Sequence, residues 1–172
     1  MDETMKKIYF AGKFSLTDEL SRPLAERLRG DYRARLLGDP KKLVLAQEGL
    51  ELPCGVIYAG PFYCEEASKG AYTSTDCRAV LAAEYRAVEG CDVYVAFFDR
   101  SFSVGTVVEL GWALQMKKEI VICYRIERSA YDISSEYWFA IANAQAQSDR
   151  VRVFGFHSLD EAVKKLLEGE FF

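Results

Sequence analysis

The run Asp92-Val-Tyr-Val-Ala-Phe-Phe98 is apolar from its second residue to its last. A strand with one wet face alternates polar and apolar residues, whereas an unbroken apolar run belongs to a strand covered on both faces. Such a strand sits in a parallel sheet with helices on both sides, and the rest of the chain has to supply those layers. The pattern does supply them. A strand is predicted at residues 6–11, a helix at 16–37 interrupted or begun at Pro23, and a strand at 56–62 closed by Gly60-Pro61. A helix follows at 75–90 with Thr75 as its cap and Gly90 just past its end, then the 92–98 strand. A helix at 106–117, a strand at 119–125, a helix at 134–146, a strand through Arg150-Val-Arg-Val-Phe154 and a closing helix capped by Ser158 complete the order. Residues 38–55 are irregular, with a short strand possible at Lys42-Leu-Val-Leu-Ala46. Strands alternating with helices mean βαβ units. The fold class is therefore α/β, a flavodoxin-like, doubly wound, five-stranded and mostly parallel sheet forming a single domain over residues 1–172.

A chain of 172 residues with half of them hydrophobic can bury one full core. Its net charge of −4 speaks against a nucleic-acid polymer as partner, because phosphate backbones are held by basic surfaces. A single nucleotide stays open, since backbone N–H groups at a helix start can hold one phosphate. Five scattered cysteines without a C-x-x-C pair read as reduced thiols. With His157 the only histidine, no histidine-based metal cluster or triad is expected, and no metal or cofactor. No apolar run is long enough for a membrane span and no signal peptide is evident, so a cytoplasmic protein without a membrane partner is expected.

In open α/β sheets ligands bind beyond the carboxyl ends of the strands. That rim receives the turns after Ala11, Gly60, Asp99 and Arg125, and Gly12 opens the first of them. Glu109 stands near the start of the helix rising from the third. Thr106-Val-Val-Glu109 matches a capping box with Thr106 as cap, which would explain the acid as structure alone. The same place favours an ionised carboxylate, able to act as a nucleophile at a sugar carbon. The box does not account for Gly105 or Gly111, although glycine inside a helix costs about 1 kcal/mol relative to alanine. Glu84 falls on a stripe of Cys77, Val80, Leu81 and Val88, where an acid is either paired in a salt bridge or poised as a proton donor. Tyr9 ends the first strand and is either packing or part of the site. Aromatic residues around the rim (Phe62, Tyr63, Phe97, Phe98, Trp112) are core by default, and some could stack on a planar base.

Lys7-Ile-Tyr-Phe-Ala-Gly12, Cys91-Asp-Val-Tyr-Val-Ala-Phe-Phe-Asp99 and the S-x-G-T-x-x-E-L-G-x-A of residues 103–113 occur in that order and spacing. Together they resemble the nucleoside 2-deoxyribosyltransferase family, which includes related deoxynucleoside 5-monophosphate N-glycosidases. The resemblance spans roughly residues 6–125. It implies a flavodoxin-like fold and cleavage of the N-glycosidic bond of a 2-deoxynucleoside, with Glu109 as the nucleophile that carries the sugar as a covalent ester before another base takes it. It also implies Glu84 as the acid near the leaving base, where aspartate is commoner, and Tyr9 as the hydroxyl on the nucleophile. Ser103 stands where transferases acting on free nucleosides carry an aspartate for the sugar 5-hydroxyl. A serine there, with the N–H groups of Gly105 and Thr106, suits a phosphate instead, which raises the alternative of a monophosphate hydrolase; Asp99 is near enough in sequence to serve the sugar. The family's sites are completed by a neighbouring subunit, so a homo-oligomer is expected with Trp138–Gln145 at its interface and Asn143 reaching across. A nucleotide-binding sensor without catalysis is the reading from another class. A receiver-type signalling domain is disfavoured because Gly12-Lys-Phe-Ser15 lacks its acidic pair, and a flavin-binding flavodoxin because no Ser/Thr-rich phosphate loop follows strand 1.

Overall fold

The computed structural model describes residues 4–45, 49–62, 74–99, 103–126 and 137–172. Five strands run parallel: β1 (Lys7–Ala11), β3 (Ile57–Tyr58), β4 (Val93–Phe98), β5 (Glu119–Arg125) and β6 (Val151–Phe156). A sixth, β2 (Leu50–Glu51), pairs antiparallel with β3 at the edge, which makes the order β2-β3-β1-β4-β5-β6. Without that edge strand the order is the flavodoxin-like one. The chain leaves β1 towards β3 on one side and later resumes at β4 on the other. The crevice between β1 and β4 is therefore the topological switch point, where ligands of such sheets bind.

The helices divide between the faces as double winding requires. Ile8, Phe10, Val93, Val95, Phe97, Val121 and Cys123 point to one face. There they meet α2 (Tyr32–Leu37), α3 (Pro40–Leu45) and α7 (Leu159–Leu167), with the short α1 (Leu24–Arg27) alongside. Tyr9, Ala11, Tyr94, Ala96, Phe98, Ile120 and Ile122 point to the other face. They meet α4 (Ser74–Gly90), α5 (Val104–Gln115) and α6 (Trp138–Gln147). Every residue of β4 is buried, as its unbroken apolar run requires. Among the described residues no helix is long and apolar enough to cross a membrane.

Several elements differ from the sequence pattern. Residues 16–37 are not one helix. Pro23 is the N-cap of the four-residue α1, and a new helix starts at Asp31, whose side chain accepts from the Arg33 N–H. The short strand expected at Lys42-Leu-Val-Leu-Ala46 is replaced by helix over Pro40–Leu45, Ala46 lying outside the described residues, and the extra strand comes later at Leu50–Glu51. Of the strand expected at 56–62 only Ile57–Tyr58 is regular strand; Ala59 and Gly60 still exchange backbone hydrogen bonds with β1 before Gly60 turns the chain at φ +125°. Ser158 caps α7 by accepting from the Glu161 N–H, as its sequence suggests. Tyr63, Cys64, the side chains of Thr75 and Cys77, and residues 134–136 of the helix expected at 134–146 lie outside the described residues.

The restart at Asp31 builds a buried ion pair that the pattern did not announce. Arg33 is fully buried; its Nε and Nη2 donate to the two carboxylate oxygens of Asp31, each at 2.9 Å. Nη1 donates to the carbonyls of Phe10 and Gly12 at 3.3 and 3.0 Å, and the guanidinium lies 3.7 Å from the centre of the Phe14 ring. Asp31 also accepts from the Ser15 N–H at 2.9 Å. The pair thus ties α2 to the end of β1 and to the loop that follows it. Removing one member of such a pair leaves an uncompensated buried charge and costs about 3–5 kcal/mol. Arg33→Met is expected to lower unfolding free energy by that amount in urea titration, and Arg33→Met with Asp31→Ala to recover part of it. A loss for Arg33→Met below about 1 kcal/mol, typical of an exposed pair, would contradict this role.

Candidate active site

The switch point is lined by two tyrosines in register. Tyr9 on β1 and Tyr94 on β4 are paired positions of adjacent parallel strands, and their rings stack with centroids 5.8 Å apart and planes 13° apart. Gly60 packs against the Tyr9 ring, where an added Cβ would sit 3.4 Å from it, and its positive φ excludes most side chains. Both tyrosines are fully buried beneath α5.

Helix α5 starts one turn earlier than its capping-box pattern suggests. Ser103, not Thr106, is the N-cap, and its side chain accepts from the Thr106 N–H. Glu109 therefore lies in the second turn, beyond the free N–H groups that would favour its ionised form. The structure removes the capping explanation for this acid. Its carboxyl instead turns inward: Glu109 is 7% exposed, and the Tyr9 hydroxyl donates to its Oε1 at 2.9 Å. The Tyr94 hydroxyl donates to the Thr106 carbonyl at 2.9 Å, one turn before Glu109. Burial and then the charge of Glu84 push the Glu109 carboxyl up to about 7, against the opposing pull of the Tyr9 hydroxyl, Arg33 and the Tyr94 hydroxyl. The expectation of a carboxylate kept ionised by the helix end is thus reversed; this acid holds its proton unusually well.

Glu84 comes from α4, whose inward face differs from the expected stripe. Val80, Glu84, Ala87 and Val88 turn towards the sheet, while Leu81 is half exposed. The acid lies in the middle of the inward face, and burial raises its pKa as well. The exposed flank of α4 and α5 forms a shallow groove lined by Arg78, Leu81, Tyr85 and Trp112, with the Tyr85 and Trp112 rings edge to face at 5.2 Å. Trp112 belongs to that outer surface. Phe97 stacks with Tyr32 on the opposite face of the sheet, and Phe62 with Tyr58 edge to face.

The structure brings together Tyr9, Glu84 and Glu109, and treats the other candidates differently. The Ser103 hydroxyl lies 2.8 Å from that of Thr106, and its backbone N–H donates to the Tyr137 hydroxyl at 3.1 Å. The Thr106 N–H is the one that Ser103 caps, so it is not a free donor for a phosphate; the exposed Val104 and Gly105 stand at the first two helical positions, whose N–H groups lack intrahelical partners. Among the described residues nothing lies within 4 Å of a Cβ added at Gly105 or Gly111, so packing against them explains neither glycine. Gly12 has φ +149°, and a Cβ there would meet Phe97 at 3.2 Å. Asp99 is held by Arg125 from β5, whose Nη1 also donates to the His157 carbonyl at 2.9 Å. Asn143 is exposed on α6 and accepts from Gln147 at 2.9 Å; Trp138 and Phe139 of the same helix are exposed, and α6 carries no charged residue. The sequence reading missed Arg33, Tyr94, Tyr137 and Arg125.

No protein-family model matches the chain, and no curated protein does. Among solved structures it is similar to the CMP N-glycosidase BcmB of Clostridium botulinum, at 27% identity with a TM-score of 0.42 over 52% of this chain and 73% of that one.

The raised Glu109 pKa has a sign that stability measurements can read. The folded state binds this proton more tightly than the unfolded chain, so the stabilisation is complete below about pH 4.5 and is lost as pH rises from there through about 7. Glu109→Gln removes the titration. Relative to the native chain, it is expected to gain up to about 3 kcal/mol between pH 4 and pH 8. Urea unfolding at those two pH values checks this; an unchanged difference between the two proteins would mean that the carboxyl ionises as an exposed one does.

Proposed function

We propose that the chain cleaves the N-glycosidic bond of a 2-deoxynucleoside through a covalent ester on Glu109 and passes the sugar to a second base. The observation that carries the reading is the buried Tyr9–Glu109 hydrogen bond at 2.9 Å with a second carboxyl, Glu84, close enough for its charge to act on the first. It joins the ordered sequence motifs at residues 7–12, 91–99 and 103–113, which contain Tyr9 and Glu109, with Glu84 eight residues before Asp92.

Two carboxyls act on each other at this site: burial raises the pKa of both, and the charge of Glu84 raises that of Glu109 further. In the productive arrangement the proton is on Glu84 and the charge on Glu109. A Glu109 oxygen bonds to C1 of the sugar as the C1–N bond breaks, and the departing base nitrogen takes the Glu84 proton. A second base then attacks C1, the ester C–O bond breaks, and the incoming N–H proton returns to Glu84. The Tyr9 hydroxyl holds the carboxylate in place in both halves. Once the Glu84 proton is lost on the alkaline side the leaving base has no donor, so kcat/KM falls there.

One observation favours water as acceptor and a 5-monophosphate as substrate: Ser103 replaces an acid at the start of α5, beside the first-turn N–H groups of Val104 and Gly105. Product analysis separates the two readings. Deoxynucleosides and their monophosphates are incubated with and without a second free base. Base exchange marks the transferase; free sugar phosphate marks the hydrolase. Glu109→Ala is expected to remain folded and lose about 10³-fold or more in rate. Nucleotide binding without base release by the native chain would instead mean a sensor.

We further propose that the uncharged outer side of α6 is a contact between copies of this chain, since a surface helix ordinarily presents charged residues to water. Sedimentation at micromolar concentration is expected to show a dimer or larger species; a fully active monomer would remove the claim.

A further inference from the structure

Two phenols act on the Glu109 carboxyl, and their hydrogen bonds go to different acceptors. Tyr9 points its single hydrogen at the carboxyl oxygen at 2.9 Å. The Tyr94 hydroxyl, on the strand paired in register with that of Tyr9, also acts on that carboxyl, yet the hydrogen bond it makes is to the Thr106 carbonyl at 2.9 Å, one turn before Glu109. In α-helical geometry that carbonyl also faces the Leu110 N–H, so it does not depend on Tyr94 for a partner. Tyr94 is fully buried at the second position of β4, and its ring is held flat against that of Tyr9. The ring therefore stays in place while the C–O bond of the hydroxyl is still free to rotate.

We propose that Tyr94 is a positioning residue for Glu109: its hydroxyl hydrogen rests on the Thr106 carbonyl while Glu109 carries a proton or an ester, and turns to the carboxylate when that group is charged. Rotation about the phenol C–O bond is the only movement, and no proton leaves the oxygen. The chemical consequence, which rests on the glycosidic reading above, is an asymmetry between the two halves of the reaction. A carboxylate oxygen loaded with two donors is a poor nucleophile, so a second donor that can turn away leaves a lone pair for attack. When the ester breaks, charge returns to a carboxyl that burial has stripped of water, and the same hydroxyl can meet it. The other groups acting on this carboxyl are Glu84 from α4, Tyr9 from β1 and Arg33 from α2.

Tyr94→Phe removes the hydroxyl and keeps the stacked ring. The protein labelled with ¹³C at glutamate carboxyls is titrated without ligand, the Glu109 signal being identified by its absence in Glu109→Gln. The Glu109 midpoint is expected to rise by about one pH unit in the variant, the size of one hydrogen bond to a charged group. In rapid-quench turnover the first release of base is expected to change by less than about threefold, and the following turnover of the ester to slow by about tenfold. A midpoint that stays put or falls would overturn the proposal, and so would a slowed first release with an unchanged second step. If the native chain releases no base from any deoxynucleoside or deoxynucleotide, the glycosidic reading fails, while the ligand-free titration still decides what Tyr94 does. Should Tyr94→Phe not fold, Tyr94→Met is titrated instead, with the same expected rise and the same contrary result.

Discussion

A carboxyl taken out of water beside a hydroxyl donor organises this molecule. Burying Glu109 is unfavourable unless its polar atoms are met, and the structure meets them with Tyr9 from the neighbouring strand. That contact requires β1 and β4 to be adjacent and in register, which the sheet order provides at its switch point. It also requires α5 to start at Ser103. A start at Thr106 would put Glu109 in the first turn, with exposed N–H groups to bond; the earlier start makes the buried site its only polar surrounding. The price of that burial is a proton held to about pH 7, and a second buried acid on α4 keeps it there.

Arg33 links this site to the opposite face of the sheet. It fastens the turn after β1 through the Phe10 and Gly12 carbonyls, and its charge also acts on Glu109, lowering the pKa that burial raises. Its own charge is balanced by Asp31, so the site feels a damped cation rather than a bare one. A rigid β1 terminus matters because Tyr9 lies only three residues before Gly12. Movement of that loop would change the hydrogen bond on which the carboxyl depends.

Residue patterns that record burial were legible in the sequence. The unbroken apolar run of β4, the Ser158 cap of α7 and the alternation of strands with helices lead to the doubly wound sheet. The rim rule and the family motifs lead to Tyr9, Glu84 and Glu109, which the fold brings together. Patterns that two structures satisfy equally were misread. Thr106 and Ser103 are both good caps three residues before a helix position, and only tertiary packing selects Ser103. Asp31 looks like one more charge on an amphipathic helix covering 16–37, because nothing local says that Arg33 folds back on it. Leu81 looks like core on α4 because period alone does not fix which side of a helix meets the sheet. Tyr94 carries no signal at all until the register of β1 and β4 is known; within its own strand it is one aromatic among several apolar residues.

A Glu109 bonded covalently to the sugar during turnover can be trapped and weighed. The protein is mixed with excess deoxynucleoside or its 5-monophosphate, quenched in acid within milliseconds to seconds, and measured by intact mass followed by peptide mapping. The account predicts one added deoxyribosyl or deoxyribosyl-phosphate group per chain, on the peptide containing Glu109, and none in Glu109→Gln. Base release by the native chain with no added mass at any quench time, or with the adduct on another residue, would contradict it.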